Sequence, residues 1–193
     1  MSKNRIIVGI SGASGAIYGI RTLETLRAAS VETHLVLSKT AAMTVAYETD
    51  RTLAQIKKLA DVVYANEDLG AAVSSGSFKT LGMIVAPCSM RSVSEIAYGN
   101  TTTLLTRAAD VQLKERRRVV LLAREAPLHL GHLRALTQAA EIGAVIVPPV
   151  PAFYSRPKTI DDIVNHTIGR ALDLFGIDAR AVRRWNGSGT DPA

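Results

Sequence analysis

The sequence predicts an α/β protein, an open and mostly parallel sheet with helices on both faces, of Rossmann-like type. Three observations predict it. The runs Ile6-Ile7-Val8, Met83-Ile84-Val85-Ala86 and 119–123 are continuously apolar, the mark of strands buried on both faces. Stretches with apolar residues at helical spacing separate them, the first carrying Ile17, Ile20, Leu23 and Leu26. Two of the strands end in turns rich in small and hydroxyl residues that open directly into helices. A strand–helix–strand unit over residues 5–38 implies a parallel, right-handed crossover.

The first of these turns, Gly9-Ile10-Ser11-Gly12-Ala13-Ser14-Gly15, organises the rest. A tight glycine turn between strand and helix aims backbone N–H groups and the positive helix end at an anion. Its glycines let the backbone approach a phosphate closely, and Ser11 and Ser14 add hydroxyls. The glycines fall at 9, 12 and 15, not in the G-x-G-x-x-G spacing of dinucleotide folds. The second strand, Thr33-His34-Leu35-Val36-Leu37, ends in Ser38-Lys39 where a ribose-binding carboxylate would stand. The turn also lacks the G-K-[ST] ending of a Walker loop. A mononucleotide such as FMN fits better than NAD or ATP.

Length and composition bound the remainder. The 193 residues suit one domain, 1–185, with a small polar tail, 186–193, that frays. Hydrophobic content of 47% against 21% charged makes the chain globular and points to buried subunit contacts. No apolar run approaches the roughly 20 residues of a membrane helix, and the start lacks a signal-peptide core, so a cytoplasmic location is expected. The single cysteine, Cys88, excludes an intrachain disulfide and a multi-cysteine metal site. The net charge of +6 comes without a basic stripe interleaved with aromatics, so an anionic ligand is the more economical reading than nucleic acid.

Along the chain, 40–48 and 52–59 read as short helices capped by Thr40 and Asp50, and Val62-Val63-Tyr64 as a short strand. The polar stretch Ser74-Ser75-Gly76-Ser77-Phe78-Lys79 is a loop or a wall of the ligand site. The strand Met83-Ile84-Val85-Ala86 delivers Pro87-Cys88-Ser89-Met90-Arg91-Ser92 to the start of a helix through Val93, Ile96 and Ala97. Ligands of open α/β sheets sit beyond the carboxyl ends of the strands, so this turn and the first would face one crevice. Cys88 reads as a small buried hydrophobe, not a nucleophile, since no histidine neighbours it in sequence. A helix over 102–115 precedes the run Lys114-Glu115-Arg116-Arg117-Arg118, mostly a solvated face. Strand 119–123 brings Arg124 and Glu125 to the crevice side, a fork for phosphate and a carboxylate for proton transfer. His129 and His132 stand three apart, but no third metal ligand accompanies them. After strand 144–147, Pro148-Pro149-Val150-Pro151-Ala152-Phe153-Tyr154 is stiff and aromatic, a connecting loop or a rigid wall against an apolar group. A helix over 160–175 carries Arg170 towards one end.

Taken together, Gly9 to Gly15, Ser74-Ser75-Gly76-Ser77-Phe78, Pro87-Cys88-Ser89-Met90, Arg107-Ala108-Ala109-Asp110, Leu113-Lys114-Glu115-Arg116, Arg124-Glu125-x-Pro127-Leu128-His129 and Pro151-Ala152-Phe153-Tyr154-x-x-Pro157 resemble the UbiX flavin prenyltransferases, in the family's order from Arg5 to about Phe175. The related flavin-dependent cysteine decarboxylases carry Pro-Ala-Ser-Ala-Asn-Thr where this chain has Pro87-Cys88-Ser89-Met90. The resemblance implies a Rossmann-like flavoprotein fold and a metal-free transfer of the dimethylallyl group of dimethylallyl phosphate to N5 and C6 of reduced FMN. It further implies a UbiD-type decarboxylase that receives the prenylated FMN, and a homododecamer.

Residue by residue, the resemblance places FMN on Gly12, Ala13, Ser14, Ser38, Ser89, Met90, Arg91, Ser92 and Arg124. It places dimethylallyl phosphate on Tyr154 and Arg170, and names Ser14, Lys114 and Glu125 as catalytic groups. Ser92 stands where many members have threonine, and the hydroxyl survives. The chemistry suits these residue types. Breaking an allylic C–O bond leaves a cation and a phosphate. Arg170, Lys114 and the Tyr154 hydroxyl would stabilise the phosphate, while Phe153, Tyr154 and the flavin line an electron-rich pocket for the cation. Glu125 or the released phosphate would take the proton lost on ring closure. Two other classes stay open: a flavin-dependent decarboxylase acting directly on an aromatic or peptidyl acid, and a non-catalytic FMN carrier subunit.

Overall fold

The computed structural model describes residues 4–179, 182 and 184. Six strands form one sheet in the order β3-β2-β1-β4-β5-β6. They are β1 (Arg5–Ile10), β2 (Glu32–Leu37), β3 (Val62–Tyr64), β4 (Gly82–Cys88), β5 (Arg118–Ala123) and β6 (Ala144–Ile146). Every pairing is parallel, so the sheet is fully and not just mostly parallel. The α-helices among the described residues are α1 (Ala16–Ala28), α2 (Lys39–Glu48), α3 (Leu53–Lys57), α4 (Met90–Ala97), α5 (Leu104–Lys114), α6 (Leu130–Glu141) and α7 (Ile160–Asp173).

The sheet divides the core in two because alternate strand residues point to opposite faces. Ile6, Val8, Ile10, Ile84 and Val120 pack with residues of α1, α2, α3 and α7. Ile7, Met83, Val85, Val119 and Leu121 pack with α4, α5 and α6. All seven residues of β4 are buried, as its unbroken apolar run requires. Helix α1 lies close on β4 because residue 19 is glycine; a Cβ there would stand 2.5 Å from the Ala86 carbonyl oxygen.

The caps differ from expectation. Helix α2 is capped by Ser38, whose hydroxyl accepts the Ala41 N–H, and not by Thr40. Helix α3 is capped by Thr52 in a reciprocal box with Gln55, and not by Asp50. In each case the residue with extended backbone is the cap, and both Ser38 and Thr52 are extended. The tail expected at 186–193 lies outside the described residues.

Strand order decides where a ligand can enter. The chain runs outward from β1 to β3, then returns to β4 beside β1 and runs outward the other way. The helices after β1 and β4 therefore leave on opposite faces, and a crevice opens between their turns at the carboxyl edge.

Candidate functional site at the carboxyl edge

The two turns at that switch point are tied by one side chain. Buried Ser11 donates its hydroxyl to the Pro87 carbonyl at 2.9 Å and accepts the Ser89 N–H at 2.7 Å. Both hydrogen-bonding roles of the hydroxyl are used on protein, so Ser11 holds the crevice together and offers no hydroxyl to a ligand. That corrects the expectation that it would join Ser14 in contacting phosphate.

The N-terminus of α1 is also engaged. Gly15 and Ala16 donate their N–H groups to Glu48 Oε2 at 2.8 and 2.9 Å. The Ser14 hydroxyl bonds the same carboxylate. Burial pushes the Glu48 carboxyl up, but the bonds from Ser14, Ala16 and Gly15, with the nearby Arg124 charge, outweigh it and leave the group below its ordinary range. The stabilisation this implies is present above the ordinary pKa of 4.5 and disappears as pH falls through the lowered value. Glu48→Gln is therefore expected to lower the melting temperature near neutral pH. The difference from the parent protein should shrink as pH falls below 4.5, which thermal melts across pH would check.

The dipole ends of α2 and α4 face a cleft of about 190 Å³. Ser38, Lys39 and Thr40 line one side, and Ser89, Arg91 and Ser92 the other. Ser89 caps α4 by accepting the Ser92 N–H, and its hydroxyl also donates to the Ser92 hydroxyl at 3.1 Å. Met90 is buried among apolar residues of α4 and α5, so only its backbone can meet a ligand. Arg91 is exposed and bonds Glu95 at 2.7 Å, and Lys39 has no ion-pair partner among the described residues. Glu67 and Glu95 also line the cleft, Glu95 held by Arg91; two helix N-termini, several hydroxyls and Lys39 make it a phosphate-sized anion cradle. With the α1 amides already on Glu48, this cleft and not the first turn is where a phosphate fits.

Arg124 joins the crevice. It follows β5, its N–H bonds the Cys88 carbonyl at 3.0 Å, and its charge reaches Tyr18 and Glu48. Glu125 is exposed beside it and accepts the Ala126 N–H. Cys88 is fully buried and burial pushes its thiol up, so it is a packed hydrophobe and no nucleophile. His129 spends Nδ1 as the cap of α6, accepting from Gly131 and His132. Among the described residues no group of three or more metal-ligating side chains converges.

Three expected residues lie elsewhere. Lys114 ends α5, four residues before β5 begins, and so stands at the amino edge, where it pairs with Glu115 at 2.6 Å. Arg170 is in the last turn of α7, just before Phe175, which lies against Gly82 at the amino edge of β4. Tyr154 reaches the same helix, its hydroxyl 3.1 Å from His166 Nε2. A six-residue strand spans about 20 Å, so Lys114 and Arg170 do not meet the phosphate cradle within one chain.

Sequence reading missed Glu48 and His166 and misjudged Ser11. A carboxylate in the last turn of α2 opposes that helix's dipole, a signal that it serves something other than its own helix. His166, four residues before Arg170 on a helix, was legible as its neighbour. Nothing in sequence marks Ser11 as a bridge across 78 residues to Ser89.

A switch-point crevice with a phosphate cradle, and with Ser38-Lys39 in place of a ribose-binding carboxylate at the end of β2, defines a mononucleotide-binding α/β protein. The model of the flavoprotein family matches residues 1–172. The flavin prenyltransferase UbiX of Thauera aromatica is 56% identical over 184 residues, 95% of each chain. The crystal structure of AnUbiX (PadA1) in complex with FMN and dimethylallyl pyrophosphate is similar at a TM-score of 0.95 and 50% identity, over 97% of this chain and 100% of that one. A dodecameric FMN-dependent UbiX-like decarboxylase from Escherichia coli O157:H7 is similar at a TM-score of 0.92 and 47% identity, over 95% of this chain and 100% of that one. The chain belongs to the flavoprotein family and, within it, to the flavin prenyltransferases of the UbiX type.

Proposed function

We propose that this protein transfers the dimethylallyl group of dimethylallyl phosphate to N5 and C6 of reduced FMN. The observation that carries the reading is the cradle between α2 and α4, at the switch point of a chain more than half identical to a flavin prenyltransferase. The FMN phosphate would lie on Ser38, Ser89, Ser92, Arg91 and the backbone N–H of Met90. Gly12, Ala13 and Ser14 would pass along the flavin edge, with Arg124 over it. Bound reduced flavin supplies the carbon and nitrogen nucleophiles, and the chain supplies the rest.

The first turn is built for close approach. A Cβ on Gly12 would fall on the Thr40 side chain, with the Thr40 carbonyl carbon 3.2 Å away, so α2 would have to shift. Gly12→Ala is expected to weaken FMN binding about tenfold, and Thr40→Gly in the same chain to restore most of it. Flavin fluorescence titration reads both.

Arg170 and the Tyr154 hydroxyl bind the prenyl phosphate and stabilise charge on it as the C–O bond breaks. Each such charge-assisted hydrogen bond contributes roughly 1.5–3 kcal/mol, so two or three supply several decades in rate. Lys114 adds a further cation, and Glu125 accepts the proton released on ring closure. Because Lys114 and Arg170 stand at the opposite edge from the cradle, a second copy of the chain must bring them to it. A homo-oligomer, dodecameric like the Escherichia coli relative, meets that need. The exposed side chains of Val150, Phe153 and Ile160 beside Tyr154 suit burial between copies. No helix among the described residues is long and apolar enough to cross a membrane. The reading places the protein in the cytoplasm, handing prenylated FMN to a UbiD-type decarboxylase.

A direct decarboxylase is the second reading, favoured by the name of the Escherichia coli relative. The deciding experiment is anaerobic incubation with reduced FMN and dimethylallyl phosphate, followed by mass analysis of the flavin. A gain of one C₅H₈ unit is expected. Unmodified FMN on folded protein would move the decarboxylase and carrier readings forward.

A further inference from the structure

We propose that His166 is a positioning residue for the prenyl phosphate: its Nε2–H holds the Tyr154 oxygen and turns the Tyr154 hydroxyl proton towards the phosphate. This rests on the reading of Tyr154 and Arg170 as the phosphate-binding pair. The two side chains are 3.1 Å apart, hydroxyl oxygen to Nε2. Their rings meet edge to face, with centroids 5.6 Å apart at 82°. His166 is only 8% exposed, and it sits one helical turn before Arg170, so the Tyr154 hydroxyl, the imidazole and the guanidinium share one face of α7.

A tyrosine hydroxyl has a single proton to give. If Nε2 of His166 lacks a hydrogen, it takes that proton, and Tyr154 presents lone pairs to an incoming anion. If Nε2 carries the hydrogen, it donates to the Tyr154 oxygen, and the Tyr154 proton points outward as a donor. Only the second arrangement binds a phosphate. Burial and the Arg170 charge both lower the His166 pKa, with Asp173 opposing in part, so the ring is neutral near pH 7 and leaves the positive charge to Arg170.

The test compares three variants in the full chain. His166→Gln places an amide N–H at the reach of Nε2 and is expected to keep the KM for dimethylallyl phosphate within about threefold. His166→Asn places its amide at the Nδ1 position, short of Tyr154, and His166→Leu has no donor. Both are expected to raise that KM about tenfold with FMN affinity unchanged. In a Tyr154→Phe background the Leu substitution should add less than about twofold, because its target is gone. Equal KM values for Gln and Asn, or an undiminished Leu effect without the Tyr154 hydroxyl, would overturn the inference while prenyl transfer itself stands. Failure of the unmodified protein to prenylate FMN would overturn both readings together.

Discussion

Arg170→Ala is expected to lower prenyl transfer at least about 100-fold while FMN stays bound with unchanged affinity. The guanidinium is half exposed and donates to Asp173 at 2.6 Å. Its removal does not strand a charge, because Arg184 also pairs with Asp173, at 2.9 Å. An exposed ion pair of this kind contributes between about 0 and 1 kcal/mol, so the fold should persist with little change in melting temperature. Catalysis has no such substitute. A charge-assisted bond to the departing phosphate is worth roughly 1.5–3 kcal/mol, or about 10- to 150-fold, and more where water is excluded. Arg170→Lys should recover part of the loss, since it keeps the charge without the two-pronged fork. Steady-state transfer and flavin titration on the same preparations decide the matter. Loss of FMN from Arg170→Ala would contradict the assigned role, because Arg170 is assigned to the prenyl phosphate and not to the flavin.

Ser11→Ala should cost both stability and flavin affinity. The hydroxyl makes two hydrogen bonds in a buried setting, to the Pro87 carbonyl and from the Ser89 N–H. The Pro87 carbonyl keeps the Ser11 N–H at 3.2 Å, but the Ser89 N–H loses its acceptor. An unsatisfied buried N–H costs about 1–3 kcal/mol, which in a chain of this size lowers the melting temperature by roughly 2–12 °C. Ser89 also caps α4 and lines the phosphate cradle, so loosening it should weaken FMN binding about tenfold. Thermal melts and FMN titration measure the two effects. Lowered stability with undiminished FMN affinity would show that the tie serves the fold alone.

The strands and helices were legible because each carries its own local signal. The run Met83 to Ala86 has no polar break, and the structure buries all of it. Ile20, Leu23 and Leu26 recur at helical spacing, and all three are buried on one face of α1. Local reading failed at the helix starts of α2 and α3, where several polar residues compete to cap. Backbone conformation, fixed by the preceding strand or turn, chose Ser38 and Thr52. The candidate site was legible where its residues sit in the turns themselves, as Gly12, Ser14, Ser89 and Arg124 do. It was illegible where function depends on a partner distant in sequence: Glu48 reaching the α1 amides, or Ser11 reaching Ser89.

The sequence by itself determined the α/β class, the crevice-forming turns and the flavin prenyltransferase family, since apolar period, turn chemistry and motif order are all written locally along the chain. The tertiary structure alone decided which hydroxyls and N–H groups remain available for a phosphate, because that depends on groups brought together across the sheet. It also decided that Lys114 and Arg170 stand at the amino edge while the cradle stands at the carboxyl edge. Each helix of a parallel crossover runs back against its strands, so a residue at a helix C-terminus lies a strand's length from the crevice, however close in sequence the next strand may be.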